Sequence, residues 1–391
     1  MTFFGNLQNE IYFAGLGGTL PALPMTAAGL EDLARQRLSP EAFGYIAGSA
    51  STERTAAANL AAFDRHRIVP RMLRGTAAPD VRDLSVEVLG TRLAAPVLTA
   101  PVGVLELVHP DAEAAVGAVT SELGVGSVLS TAASTSIETV AQVSGETWWY
   151  QLYWPSDDEV AESLVRRATA AGAKAIVLTA DTPGMGWRPR DLELGHLPFL
   201  QAKGIANYLS DPVFRSRLAS PPEESAEAMQ MAVLTWVSMF GNHAIRANDV
   251  ARLTEWTDLP IVVKGIVHPE DAHAVVDAGA SGVVVSNHGG RQVDGAIGAL
   301  DALVPVASAV GERATVLLDS GIRSGADVVK ALALGADAVL YGRPWVYGLG
   351  LAGADGVRHA LRMLLADLDL TLGLAGFASV AELDPSILRD A

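Results

Sequence analysis

Short apolar runs recur along the chain, and nearly every one stops at a polar residue or a glycine. Residues 96–100 lead into Pro101-Val102-Gly103, 125–129 into Ser130-Thr131, and 147–152 hold Gln151 and end at Tyr153. Residues 175–178 lead into Thr179-Ala180-Asp181, 260–263 into Lys264-Gly265, and 283–285 into Ser286-Asn287-His288. Residues 315–318 lead into Asp319-Ser320-Gly321, and 338–341 into Gly342-Arg343-Pro344. Runs this short, apolar throughout and rich in β-branched residues, read as strands buried on both faces. Helical spacing lies between several of them, as in 158–171 and 269–278. Strand alternating with helix predicts a parallel sheet, and eight such units in about 250 residues predict a (β/α)8 TIM barrel. The polar strand ends then share one rim, where barrels of this kind carry their sites.

Two regions fall outside that repeat. Residues 1–25 are rich in glycine and proline and read as irregular. Helical spacing through Leu30, Leu33 and Leu38 follows. Ser39-Pro40-Glu41 then reads as an N-cap, a proline at the first helical position and an early acid. That second helix carries Phe43 and Tyr45 and is expected to end near Gly48. The other exception is the connection between Asp181 and Pro260, far longer than a βα loop needs. Its first part, 189–222, has mixed polarity and scattered prolines, and 224–240 has helical spacing. Long insertions of this kind are often active-site lids, so this one is expected to pass over the barrel mouth. The expected organisation is one domain over 1–391: a helical extension 1–94, a barrel 95–375, and a lid insertion 189–250 within it.

Composition narrows the chemistry. The chain has 391 residues, half of them hydrophobic, no cysteine and a net charge of −16. Without cysteine there is no disulfide, thiolate nucleophile, zinc–thiolate site or iron–sulfur cluster. The negative charge disfavours nucleic acid and acidic membrane surfaces as partners, and an anionic substrate needs local positive charge. No charged-then-apolar segment opens the chain, and no apolar run approaches the ~18 residues of a spanning helix, so the expected setting is cytoplasmic and off the membrane. No metal site is expected.

The decapeptide Ser286-Asn287-His288-Gly289-Gly290-Arg291-Gln292-Val293-Asp294-Gly295 concentrates chemistry at one strand end. A histidine moves protons near neutral pH, an arginine clamps a carboxylate with two parallel bonds, and glycines admit a ligand close to the backbone. The loops after strands seven and eight carry Gly321 with Arg323 and Gly342 with Arg343, and residues from Gly325 onward begin a helix. Those slots of a barrel often bind phosphate, helped by a helix N-terminus.

Together these residues resemble the FMN-dependent α-hydroxy acid oxidase and dehydrogenase family. The resemblance runs from about Ser39 to Leu374. It rests on Ser286–Gln292, Leu178-Thr179-Ala180-Asp181-Thr182-Pro183, Tyr150-Gln151-Leu152-Tyr153 and Val263-Lys264-Gly265. Gly186-Trp187-Arg188-Pro189-Arg190-Asp191-Leu192, Ala100-Pro101-Val102-Gly103-Val104 and Asn9-Glu10-Ile11-Tyr12 are most similar to the family's lactate monooxygenase branch.

The resemblance implies FMN, with its phosphate at Asp319-Ser320-Gly321, Arg323, Gly342 and Arg343. It implies Lys264 beside the flavin, Ser130, Gln151, Thr179 and Ser286 bonding the flavin ring or ribityl chain, and Gly103 near the flavin N5. It implies His288 as the base with Asp181 as partner. Arg188 and Arg291 would clamp the substrate carboxylate, and Tyr45 and Tyr153 would orient the substrate. The implied reaction is oxidation of an L-2-hydroxy acid by dioxygen. His288 takes either the hydroxyl or the carbon proton. A monooxygenase turns lactate into acetate, carbon dioxide and water, whereas an oxidase releases 2-keto acid and hydrogen peroxide. A homo-oligomer, tetrameric or larger, is also implied. Ala132 stands where several relatives carry tryptophan or leucine, so a roomier pocket and a bulkier acid such as mandelate form the alternative.

Overall fold

A computed structural model describes residues 3–391. Eight parallel strands close a barrel in sequential order: β1 (Val97–Thr99), β2 (Gly126–Ser130), β3 (Trp148–Leu152), β4 (Ile176–Thr179), β5 (Ile261–Ile266), β6 (Gly282–Val285), β7 (Thr315–Leu318) and β8 (Ala338–Tyr341). Each predicted apolar run is one of these strands. β8 returns to β1, with Leu340 beside Leu98. The register sets Ser130 beside Gln151 and Thr179 beside Lys264, which brings their polar ends to one level.

Side chains on one face of the strands fill the barrel. Leu98, Val128, Trp149, Val177, Val262, Val284, Leu317 and Leu340 form one buried cluster. The hairpin Val86–Val88 with Thr91–Leu93 adds Val88 and Leu93 to it, and Trp149 Nε1 donates to Thr91 Oγ1 at 3.2 Å. That hairpin leads directly into β1, so it plugs the N-terminal end and leaves the other rim for the site. Truncating a buried tryptophan of this kind to alanine costs ~3–5 kcal/mol. The opposite strand face, including Val97, Leu129, Ile176, Val263 and Val316, packs against the surrounding helices.

The helices Ala27–Arg37 and Pro40–Ala47 occur as predicted, and Ser39 Oγ caps the second by accepting from Ala42 N at 3.2 Å. The N-terminal reading is corrected: residues 1–25 are not irregular throughout, because Asn6–Leu16 is a helix. Its Tyr12, Phe13 and Leu16 are exposed, so no inward apolar stripe marked it in the sequence. It is held instead by polar contacts to the last long helix, Gly5 N to Asp369 Oδ2 at 2.8 Å and Arg362 to Glu10 at 2.6 Å. The insertion folds into short helical pieces, Pro189–Glu193, Pro198–Gln201, Ala206–Leu209 and Pro212–Ser216, before the helix Ala226–Met239. Among the described residues no helix is long and apolar enough to cross a membrane.

Candidate active site

The rim is shaped by how each strand ends. At β5 the register shifts between Lys264 and Ile266, with Gly265 at φ +104°. A Cβ on Gly265 would lie 2.6 Å from Asp181 Cβ, so glycine lets the β4 loop cross close beside Lys264. Beyond β6, Asn287 pins the following loop to the helix Arg54–Asp64. It exchanges amide bonds with Asn59 at 2.7 and 2.8 Å and accepts from Gly290 N at 3.0 Å. His288 is thereby held at φ +58°, a left-handed conformation that side-chain-bearing residues seldom adopt without such bracing.

His288 Nδ1 lies 2.7 Å from Asp181 Oδ1. Thr182 Oγ1 donates to the same carboxylate oxygen at 2.9 Å and lies 3.1 Å from Nδ1. Burial pushes the Asp181 carboxyl up, but the His288 and Lys264 charges and these hydrogen bonds outweigh it and hold the group at about 2. The ionised Asp181 fixes the tautomer: Nδ1 donates to it, and Nε2 carries the lone pair. Burial, aided by Lys264 and Arg188, lowers the His288 pKa against the opposing pull of Asp181. The ring is therefore neutral at rest and able to take a proton at Nε2, where Tyr153 OH stands 3.4 Å away.

Lys264 is almost fully buried. Its Nζ donates to Ser286 Oγ at 2.9 Å and pairs with Asp319 Oδ2 at 3.2 Å and Asp181 Oδ2 at 3.9 Å. Burial opposes its charge, but Asp319 and Asp181 more than offset it and raise its pKa. Ser286 Oγ also accepts from His288 N at 3.0 Å, so one hydroxyl ties the lysine to the base.

A cavity opens over these groups. Tyr45, Tyr153, Arg188, His288 and Arg291 line one part of it, with Met185, Phe199, Phe240 and Ala132. Gly103, Ser130, Lys264, Asp319, Ser320, Gly321, Arg323, Gly342 and Arg343 line the rest. Gln151, Thr179 and Ser286 are not in its wall. Gln151 binds Ser130 Oγ at 3.0 Å and Thr179 Oγ1 at 2.9 Å, and so fixes the row from behind.

The arginines are the cavity's distinctive feature. Ion pairs in this region join Lys264 to Asp319 and Asp181, His288 to Asp181, and Arg190 to Glu53. Among the described residues none includes Arg188, Arg291, Arg323 or Arg343. Arg291 Nη1 donates to the carbonyls of Tyr45 at 2.8 Å and Gly48 at 2.6 Å, and its guanidinium lies over the Tyr45 ring. Burial first, then Arg188 and Arg343, pull Arg291 down to about 9, still protonated at neutral pH. A chain of net charge −16 thus gathers in one cavity four arginines with no ion pair among the described residues, an arrangement that suits an anionic ligand.

The phosphate end differs from expectation in one respect. The helix Gly325–Ala333 begins there, but its first amides are already taken. Asp327 accepts from Arg323 N and Ser324 N at 3.0 and 2.9 Å, and Asp367 accepts from Gly325 N at 2.6 Å. The free donors lie in the loops instead. The main-chain amides of Ser320, Gly321, Ile322 and Gly342 have no protein partner among the described residues. Arg343 donates through all three guanidinium nitrogens to Ile46, Gly48, Ser49 and Gly289, bracing the His288 loop from this end. Loop amides with Arg323 suit a phosphate, and a cavity that is also lined by buried Lys264 suits a flavin bearing one.

Sequence reasoning passed over Thr182 and Gln292. Gln292 Nε2 donates to Asp181 O at 2.8 Å, and its Oε1 accepts from Arg188 Nη2 at 3.1 Å, joining the Asp181 loop to Arg188. Both neighbour residues already singled out, the only signal the sequence offered.

An arginine-lined cavity beside a largely buried imidazole, at the C-terminal rim of a closed barrel, is the setting that comparison with known proteins assigns to an FMN-dependent oxidoreductase. The chain belongs to the FMN-dependent dehydrogenase family, whose model matches residues 34–390. It is 43% identical over 388 residues to an FMN-dependent alpha-hydroxy acid dehydrogenase of Penicillium citrinum, covering 99% of this chain and 96% of that one. It is 40% identical over 360 residues to an L-lactate oxidase of Lysinibacillus sphaericus, covering 91% and 90%. A solved mandelate oxidase matches with a TM-score of 0.81 at 40% identity, covering 94% of this chain and 98% of that one. FMN is therefore the cofactor, and the chain is an FMN-dependent oxidoreductase of the 2-hydroxy acid oxidase and dehydrogenase family.

Proposed function

We propose that the protein is a lactate 2-monooxygenase: it oxidises lactate at the carbon bearing the hydroxyl and retains the keto acid until it is decarboxylated. Lactate and dioxygen then give acetate, carbon dioxide and water. The observation that carries this reading is the roof of the site. Phe199 and Phe240 of the insertion line the cavity with rings 6.0 Å apart, and Tyr153 packs edge-on to Phe240 at 5.5 Å. A covered site favours reaction of the keto acid before release.

FMN, when bound, supplies the two-electron acceptor. The amides of residues 320–322 with Arg323 would hold its phosphate, and Lys264 would place positive charge beside its ring. The protein's own residues do the rest. Arg188 and Arg291 bind the substrate carboxylate. Burial pushes the Tyr153 hydroxyl up to about 12, and it also raises Tyr45, so both keep their protons and donate to the substrate. His288 Nε2 takes a proton from the substrate, and Asp181 stabilises the resulting imidazolium through Nδ1.

A second reading is favoured by Ala132. Its small side chain is in the wall of the cavity that Phe199 and Phe240 also line, which suits an aryl 2-hydroxy acid, and a mandelate oxidase is among the similar structures. In that case the keto acid and hydrogen peroxide leave separately. The deciding measurement is the acetate-to-pyruvate ratio from lactate in air, with catalase present so that free peroxide makes no acetate in solution. Mainly acetate is expected, and stoichiometric pyruvate would make the protein an oxidase.

A further inference from the structure

The insertion is bonded to the barrel from within. Ile205, Asn207, Tyr208, Asp211 and Phe214 are fully buried, unlike the surface of a hinged flap. Asn207 spends its whole amide on the main chain of the β2 loop. Its Oδ1 accepts from Ile137 N at 2.9 Å, and its Nδ2 donates to Ser130 O at 3.2 Å and Thr131 O at 3.1 Å. Its own carbonyl accepts from Arg167 Nη1 at 2.8 Å, and the same nitrogen pairs with Asp211 at 3.0 Å. Next to it, Ala206 N donates to Ala133 O at 3.1 Å.

The segment so gripped, between Ser130 and Ile137, contains Ala132 of the cavity wall. It is held from the barrel side as well. One oxygen of buried Glu113 accepts from Ser134 N at 2.9 Å and from Leu105 N at 3.4 Å, joining the β2 loop to the β1 loop. Val104 N donates to Ala132 O at 2.8 Å along the same seam. Gly204 of the insertion, at φ +74°, lands on it, and a Cβ there would lie 2.6 Å from Val104 Cγ2 and 3.0 Å from Ala132 O.

We propose that Asn207 is a positioning residue that makes residues 198–211 a fixed wall of the substrate cavity, setting the gap between Ala132 and Phe199 and so the side chains the site accepts. This rests on the assignment of the cavity as the hydroxy-acid site. The segment before it is different: Met185, Trp187 and Leu192 are half or more exposed, so substrate enters past 184–195 while 198–211 stays in place.

Hydrogen exchange on the FMN-loaded enzyme without substrate tests the wall directly. The amides of Ile137, Ala206 and Tyr208 should exchange as slowly as those within β2, with no change on adding pyruvate, while 184–195 exchanges fast. Fast exchange over 198–211 that pyruvate suppresses would mean a flap and overturn the proposal. Two variants test the specificity role. Asn207→Asp sets an oxygen against two carbonyls, and Asn207→Ala leaves three buried main-chain groups unpaired. Per FMN-loaded enzyme, KM should rise about tenfold, equivalent to ~1.4 kcal/mol. The preference between lactate and a longer 2-hydroxy acid should shift, and flavin reduction at saturation should stay within about threefold. Loss of FMN or of melting temperature with unchanged KM and preference would show a merely structural role and refute it. An enzyme that oxidises no 2-hydroxy acid would sink the functional reading, while the exchange result would still judge the wall.

Discussion

His288 and Asp181 show what a single pair of residues decides. The His288 pKa is lowered in the folded protein, chiefly by burial, so the unfolded chain binds that proton more readily. Above the ordinary histidine value of about 6.5 the group contributes nothing to stability, and stability falls as pH drops below it. The base-competent neutral form persists through the same window. Flavin reduction by substrate should hold its rate from neutral pH to below ~6.5 before it declines. Asp181→Asn removes the anion that supports the imidazolium, so reduction should slow by ~10²-fold or more and the acid limb should move to lower pH. Stopped-flow reduction across pH checks both, and an Asn variant that reduces at the parental rate would end this assignment of roles. These residues were legible in the sequence because chemistry-bearing side chains at strand ends stand out against apolar runs. Asn207 and Glu113 were not legible. Their partners are main-chain groups far along the chain, which no spacing rule connects to an isolated polar residue.

At the scale of elements, the short apolar runs announced all eight strands, since most of their polar residues fall at or near the C-terminal ends. The N-terminal helix escaped because its apolar residues face outward. The loops after β1 and β2 were read as ligand-facing ends, yet they are also bonded to each other, Val104 N donating to Ala132 O at 2.8 Å. Gly103 is placed near the flavin N5 by the resemblance. It lines the cavity, but a Cβ there would meet Ala132 O at 2.7 Å and Ala132 Cβ at 2.8 Å. An added methyl therefore cannot fit without moving one loop away from the other, and the seam it opens is the one on which Gly204 rests. Gly103→Ala should loosen the cover over the keto acid and lower the acetate-to-pyruvate ratio from lactate. A shift of ~1.4 kcal/mol in relative barriers changes that ratio tenfold. A variant with the parental ratio would show that the loops absorb the methyl without opening the site.

The whole molecule carries a contrast that neither scale contains. Its net charge is −16, yet the cavity collects four guanidinium groups with no ion-paired carboxylate among the described residues, and Arg291 is depressed by burial first and then by two of them. Burying like charges together costs stability unless an anion compensates them. On the proposed reading, a phosphate group at 320–323 and a carboxylate at Arg188 and Arg291 would each relieve repulsion among these groups. Anything that binds only the folded state stabilises it by RT ln(1 + [L]/Kd), ~2.7 kcal/mol when the ligand is at a hundred times its Kd. Stripping FMN should lower the melting temperature, and returning it should restore the loss. Inorganic phosphate should recover part of the difference in the FMN-free protein, and more than chloride at matched ionic strength, because the loop amides and Arg323 recognise oxygen geometry as well as charge. Adding pyruvate to the phosphate-bound protein should raise the melting temperature again, since the proposed phosphate and carboxylate positions use different residues. Scanning calorimetry of the FMN-free protein with each anion makes the comparison. Equal melting temperatures with and without FMN, together with phosphate and chloride acting alike, would mean that the arginines are compensated by solvent alone and that the cavity's charge is not what couples folding to ligand.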